Sequence, residues 1–214
     1  MKKSILTIAL SFILIALAQA SDPAFIAAMQ KQLAAKATIE TFEQSQEVTN
    51  GFMRIADATE TEWLPFYYGA LLKTEAAFRF DIDKDKILDE ALELVNKADK
   101  LAPGNSEITA LIGYVLIGKI SLDPASRGQS MSPEAMQLLG KAINLDRENP
   151  RAVSLMSQME LGMSQFFGTG PEKACGMARM SLELYKKEQT KITEDYILPT
   201  WGKTQADQVA SKCN

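Results

Sequence analysis

The sequence predicts an all-α protein made of paired helices, and three observations support this. After residue 20 there is no convincing run in which apolar and polar residues alternate, as they do in a half-buried strand. Apolar residues instead recur at intervals of three and four, which is the spacing of one helix face. A helical pattern also repeats along the chain, which is typical of proteins built from stacked helical hairpins.

The first 20 residues have the layout of a secretory signal peptide. Two lysines precede an uncharged apolar run from Ile5 to Leu17, and Ala18-Gln19-Ala20 supplies the small residues found before a cleavage site. The alternative is a transmembrane anchor, but the run has about 13 residues and a membrane-spanning helix needs about 20. We expect cleavage after Ala20, which leaves residues 21–214 as a single helical-repeat domain.

Two helices are predicted before the repeated region. The first begins at Asp22-Pro23, because aspartate caps a helix and proline suits its first turn. The second passes through Val48 and Phe52, although Asn50-Gly51 weakens its middle by about 1 kcal/mol. Together they form the first helical hairpin.

The repeated pattern has a period of 44 residues. Residues 90–101 and 134–145 both read E-A-x-x-L-[VL]-x-K-A-x-x-L, 44 positions apart. The helices that precede them align at the same offset through Gly69, Gly113 and Ser157. Three repeats are therefore predicted at approximately residues 60–103, 104–148 and 149–188, and the last contains a second helix from Glu172 to Leu184.

The residue types in the repeats suit closely packed helices. Small residues on the first helix of each pair let a neighbouring helix approach. Alanines seven residues apart lie on one face of the second helix, at Ala91 and Ala98 and again at Ala135 and Ala142. Prolines near residues 103 and 150 separate one hairpin from the next.

These features resemble the tetratricopeptide (TPR) family. Its motif has a small residue midway along the first helix, alanines seven apart on the second, and a proline-type breaker, as seen here at Gly69, Ala91, Ala98 and Pro103. The TPR period is about 34 residues, and HEAT and armadillo periods are closer to 44, so another α-solenoid stays open. The resemblance implies a TPR-like α-solenoid of about four helical hairpins plus a short C-terminal helix.

Two short sequence strings resemble one particular group of TPR-containing proteins. The strings W-L-P-x-Y-Y at residues 63–68 and P-x-W-G-K at residues 199–203 are similar to those of secreted TPR-containing proteins of Gram-negative bacteria. Members of that group are mostly of unknown function. The resemblance therefore implies a periplasmic location and an architecture more than an activity.

What the resemblance implies about function is a protein-interaction or scaffolding module without catalytic activity. TPR-like repeats present the first helix of each hairpin on a concave surface where a peptide or protein partner docks. Carrying the groove-facing positions onto this chain assigns them to Lys73, Glu107, Tyr114, Arg151, Ser154 and Gln158. The alternatives are a glycan- or nutrient-handling accessory subunit of an envelope complex, and a hydrolase that uses a pair of carboxylates.

Composition excludes several kinds of chemistry. The chain has no histidine, so histidine-based triads and histidine-liganded zinc are excluded. Its net charge of −4 gives no reason to expect a nucleic acid partner. Asp81-x-Asp83-x-Asp85 resembles the start of a calcium loop but lacks the glycine and the glutamate that complete one, so helix capping is favoured. No cofactor or metal is expected.

Two further features yield expectations about structure. The repeats exceed the TPR length by insertions near residues 80–85 and 121–130, and we expect both to be surface turns between antiparallel helices. Aromatic residues such as Trp63 and Tyr67 are expected to pack between hairpins rather than to form a recognition patch. Cys175 and Cys213 form a possible disulfide, because export places both in an oxidising compartment; the sequence leaves open whether they are bridged.

Overall fold

The computed structural model describes residues 22–213, which form nine α-helices and no strand. The predicted signal peptide, residues 1–20, lies outside the described residues. The helices are α1 (Pro23–Lys36), α2 (Phe42–Thr59), α3 (Leu64–Arg79), α4 (Lys84–Leu101), α5 (Ser106–Leu122), α6 (Pro124–Leu145), α7 (Pro150–Phe167), α8 (Glu172–Gln189) and α9 (Lys203–Ser211). None of these helices is long and apolar enough to cross a membrane.

Successive helices pair as hairpins, which confirms the predicted architecture. The pairs are α1/α2, α3/α4, α5/α6 and α7/α8, and the short α9 packs against α7 and α8. One large cluster of buried apolar side chains contains residues from α1 through α7, and Phe52, Tyr67, Leu111 and Leu155 are among its fully buried members. A smaller cluster joins α7, α8 and α9.

Small residues in the repeats lie where helices come closest. A β-carbon added to Gly113 would stand 2.8 Å from Leu139 Cδ2, and one added to Gly69 would stand 2.7 Å from Met53 Cε. In the last repeat, Ser157 takes the equivalent place, and its hydroxyl donates to the Ala174 carbonyl at 3.1 Å. The four repeat alanines are fully buried, as their seven-residue spacing indicates.

Two asparagines 44 residues apart begin α5 and α7 in the same way. The Asn105 and Asn149 side chains accept from the backbone amides of Glu107 and Arg151, at 2.8 and 2.9 Å. Asn149 Nδ2 also donates to the Ser106 hydroxyl at 2.9 Å. The second repeat is thereby joined to the third through buried polar groups.

The two insertions differ in structure. Residues 80–83 form a turn, and the Asp83 side chain accepts from Lys86 N at 3.2 Å to cap α4. The expectation of a surface turn at residues 121–130 is wrong, because residues 124–130 belong to α6. The Asp123 side chain caps this helix, accepting from Ser126 N at 3.1 Å, and Arg127 ion-pairs with Asp85 at 2.6 Å. A cap and a tertiary ion pair thus extend α6 through the insertion.

A disulfide bond joins α8 to the end of the chain. Cys175 lies in the first turn of α8, and Cys213 follows α9 by two residues. Their Cα atoms are 5.6 Å apart, within the usual range for a disulfide. The bond closes a segment that contains α9 and the whole connection preceding it.

Candidate functional site

Residues 190–202, between α8 and α9, have no regular secondary structure and cross three helices; we call them the C-terminal strap. One side chain from each helix donates to a strap carbonyl. Gln30 of α1 donates to Glu194 O at 2.6 Å, Tyr68 of α3 to Ile197 O at 2.8 Å, and Arg151 of α7 to Trp201 O at 3.4 Å. The strap is therefore held largely through its main chain.

The W-L-P-x-Y-Y string at residues 63–68 and the P-x-W-G-K string at residues 199–203 lie next to each other at the strap. Trp201 Nε1 donates to the Tyr67 hydroxyl at 2.8 Å. The Trp201 ring stacks on Tyr114 with centroids 5.0 Å apart, and Trp63 meets Tyr67 edge-on at 5.6 Å. These aromatic residues pack between helices and strap, as expected, and the two tryptophans also border the cavities described below.

Gly202 ends the strap in a conformation that requires glycine. Its φ of 101° is in the left-handed region, where other residues are strained. A β-carbon there would also collide with the Tyr185 hydroxyl. Only glycine therefore lets α9 begin at this point against α8.

A buried ion cluster lies beneath the strap. Arg151 has a relative exposure of 3% and forms paired hydrogen bonds with Glu107, at 2.7 and 2.8 Å. Its guanidinium also contacts Glu188 of α8, with one hydrogen bond of 3.0 Å, in addition to the Trp201 carbonyl. Tyr67 completes the cluster by donating to Glu107 Oε2 at 3.1 Å. Since one guanidinium engages both carboxylates, the cluster links α5, α7 and α8.

The protonation states of this cluster follow from burial and charge. Burial by itself lowers the pKa of Arg151, but Glu107 and Glu188 outweigh it and raise the pKa above its usual value. Burial raises the pKa of Tyr67 and of Tyr68, with a further increase from Glu107. Both phenols are therefore protonated at neutral pH and act as hydrogen-bond donors.

The six expected groove residues have different surroundings. Glu107 and Arg151 pair with each other, and Tyr114 lies against Trp201 of the strap. Lys73 instead ion-pairs at 2.6 Å with Glu90 of its own hairpin. Ser154 and Gln158, the other two groove residues, each have a buried polar atom, Oγ and Nε2, without a hydrogen-bond partner among the described residues.

Between the strap and helices α1 and α3 is an apolar cavity of about 360 Å³, which we call the strap cavity. Its lining is aromatic and aliphatic apart from Lys36 and Thr200. Ile192 and Leu198, with relative exposures of 38% and 45%, place apolar surface in contact with solvent there. The lining residues are Leu33, Lys36, Ala37, Tyr68, Leu71, Ile192, Tyr196, Leu198, Thr200 and Trp201.

A second, more polar cavity of about 350 Å³ lies on the other side of the strap. Its lining includes the three charged residues of the ion cluster, Trp63, Lys187 and Lys191. Tyr196 and Leu198 border both cavities, so these two strap residues separate them. No local pattern in the sequence of residues 199–203 indicates a cavity beneath them.

Comparison with solved structures places the chain among TPR-like helical proteins. The HusA haemophore from Porphyromonas gingivalis is 28% identical, with a TM-score of 0.77 over 89% of this chain and 93% of that one. A thermophilic TPR protein of Thermus thermophilus is 13% identical, with a TM-score of 0.59 over 88% and 89%. No protein-family model and no curated protein matches the sequence.

These similarities confirm the predicted TPR-like all-α solenoid. Neither similar protein is described as an enzyme. The TPR protein of Thermus supports the fold alone, because its sequence identity is low.

Proposed function

We propose that this protein is an exported, non-catalytic carrier that binds haem or a related tetrapyrrole in the strap cavity. The observation that carries the proposal is the strap cavity, an aromatic and aliphatic pocket opening beside exposed apolar side chains. The similarity to a haemophore, which extends over nearly all of both chains, suggests the class of ligand.

The cavity chemistry suits a flat apolar ring. The partly exposed Trp201 ring offers a face on which a conjugated ring can stack, and Leu33 and Ile192 offer apolar contact that replaces water. Pockets that enclose small ligands have volumes of roughly 300–1,000 Å³. A ligand too large for the strap cavity would extend into the second cavity by displacing Tyr196 and Leu198.

Coordination of iron is not part of the proposal. The chain has no histidine, and the residues described as lining the cavity include no cysteine or methionine. Tyr68 and Tyr196 are poor iron ligands here, since the Tyr68 hydroxyl donates to Ile197 O and burial raises the pKa of both phenols. Affinity would therefore come from burial of the ring faces.

Two features support a protein exported to an oxidising compartment, which we propose is the periplasm of a Gram-negative bacterium. The first 20 residues have the signal-peptide layout. The Cys175–Cys213 disulfide is a bond that persists in oxidising compartments such as the periplasm. The proposed mature protein is residues 21–214, acting as one domain.

Haemin is expected to bind wild-type protein at a single saturable site, seen as a shifted Soret band and quenched tryptophan fluorescence. Leu198→Asn should weaken binding about tenfold, because it removes apolar contact at the cavity mouth. Leu145→Asn is the matched control, since Leu145 is 44% exposed against 45% for Leu198 and borders neither cavity. No saturable binding by wild type, or equal weakening in both variants, would contradict the proposal.

A second candidate function is binding an extended peptide of a protein partner on the same face. The strap itself favours this, because it is a non-helical segment that three helices hold through its carbonyl groups. In this proposal a partner would replace the strap and contact Glu107, Tyr114, Arg151, Ser154 and Gln158. Lys73 also stays a proposed groove residue, although Glu90 pairs with it.

The peptide proposal is tested with a labelled peptide of residues 190–202. Trp201→Ala removes the anchor side chain of the strap but leaves the helices intact, so the peptide should bind this variant and not the wild type. A peptide with its own tryptophan replaced by alanine is the control. If fluorescence polarisation shows no binding to Trp201→Ala, the groove does not accept peptides in this way.

The remaining alternatives lack such support. Glu107 and Glu188 are two carboxylates that Arg151 engages together, which leaves them as structural ion-pair partners rather than a hydrolytic pair. No arrangement among the described residues favours a glycan-handling subunit.

A further inference from the structure

The strap cavity contains one charged side chain among its described lining residues. Lys36, the last residue of α1, borders the cavity together with apolar and hydroxyl side chains. Its ammonium group lies 3.0 and 3.3 Å from the two carboxylate oxygens of Glu75 on α3. Both side chains have a relative exposure of 21%, so this pair is partly shielded from water.

We propose that Lys36 binds a carboxylate of the ligand, and that Glu75 takes the place of this carboxylate when the cavity is empty. The inference rests on the proposed function, since it assigns a residue to the ligand in the strap cavity. Haem and its metal-free porphyrin carry carboxylates on one edge of an otherwise apolar ring. A ligand of this kind needs one cation beside an apolar pocket, which is what the strap cavity offers.

A ligand carboxylate buried in the strap cavity needs a charged partner. A carboxylate that leaves water for an apolar pocket loses hydration, and the loss is recovered only by a charged partner at hydrogen-bond distance. Within the described lining, Lys36 is the group that can supply this contact. An acid should therefore bind better than the same ring with its carboxylates esterified.

Glu75 is expected to weaken the binding of an acidic ligand. Its carboxylate competes with the ligand for Lys36 and repels an incoming carboxylate. Removing the charge of Glu75 should therefore strengthen binding of the acid, whereas removing the charge of Lys36 should weaken it. A purely structural Lys36–Glu75 pair, holding α1 against α3, predicts that both substitutions act in the same direction.

The test compares protoporphyrin IX with its dimethyl ester, measured by tryptophan quenching. Wild-type protein should prefer the acid about tenfold. Lys36→Gln should abolish the preference, Lys36→Arg should keep it, and Glu75→Gln should strengthen acid binding several-fold while ester binding stays the same. Lys119→Gln is the control, because Lys119 is a partly buried, ion-paired lysine that borders neither cavity.

The outcomes separate the two proposals. If wild type binds neither porphyrin, the proposed function fails. If wild type binds both porphyrins but Lys36→Gln still prefers the acid, the proposed function is supported and the proposed role of Lys36 is overturned. Circular dichroism reports whether each variant folds, and should Lys36→Gln unfold, weaker acid binding by Glu75→Gln would by itself overturn the inference.

Discussion

Arg151→Ala is expected to lower the free energy of unfolding by about 3 kcal/mol, because it leaves two largely buried carboxylates, 18% and 12% exposed, without their shared partner. Arg151 is 3% exposed, and it bonds to Glu107, to Glu188 and to the Trp201 carbonyl. Urea denaturation followed by circular dichroism measures the change.

Two further experiments test whether the loss of stability comes from uncompensated charge. Lys191→Ala breaks a solvent-exposed ion pair with Glu148 and should change the midpoint far less than Arg151→Ala. Adding Glu107→Gln and Glu188→Gln to Arg151→Ala should recover part of the loss, since no uncompensated charge then stays buried. A midpoint unchanged by Arg151→Ala would show that the cluster contributes nothing to stability.

Loss of the Cys175–Cys213 disulfide is expected to lower the free energy of unfolding by about 2–4 kcal/mol. The two cysteines are 38 residues apart, so the bond restricts a long segment of the unfolded chain. The segment includes α9, whose nine residues are too few for a stable isolated helix. Denaturation of Cys175→Ser/Cys213→Ser measures the loss.

The disulfide variant should also show where stability is lost. Amide hydrogen exchange should increase in α9 and the strap and change little in α3 to α6, because the bond constrains only the C-terminal segment. A reductant should destabilise wild type and leave the double variant unchanged. If the denaturation midpoint of wild type is the same with and without reductant, the Cys175–Cys213 disulfide does not stabilise the protein.

The helices and their order could be predicted from sequence because their causes are local. Asn105 and Asn149 cap their own helices, and the fully buried Ala98 and Ala142 occupy equivalent places one period apart. Caps, breakers and three-to-four spacing act within a few residues, so a single pass along the chain detects them.

The helical state of most of residues 121–130 was not predicted from local patterns. Asp123-Pro124 is a helix-start signal, yet the excess over the repeat length favours a turn at this stretch. Its helical state is supported by Arg127, whose partner Asp85 lies 42 residues earlier. A contact over that distance is not visible in a local pattern.

The helical repeats follow from the amino-acid order alone, because helix caps, breakers and apolar periodicity are encoded in neighbouring residues. The candidate site, in contrast, exists only once the chain has folded. Tyr68 reaches Ile197 across 129 residues, Trp201 reaches Tyr67 across 134, and Lys36 reaches Glu75 across 39. Such contacts depend on how hairpins stack and where the C-terminal strap crosses them, and neither is set by local propensity.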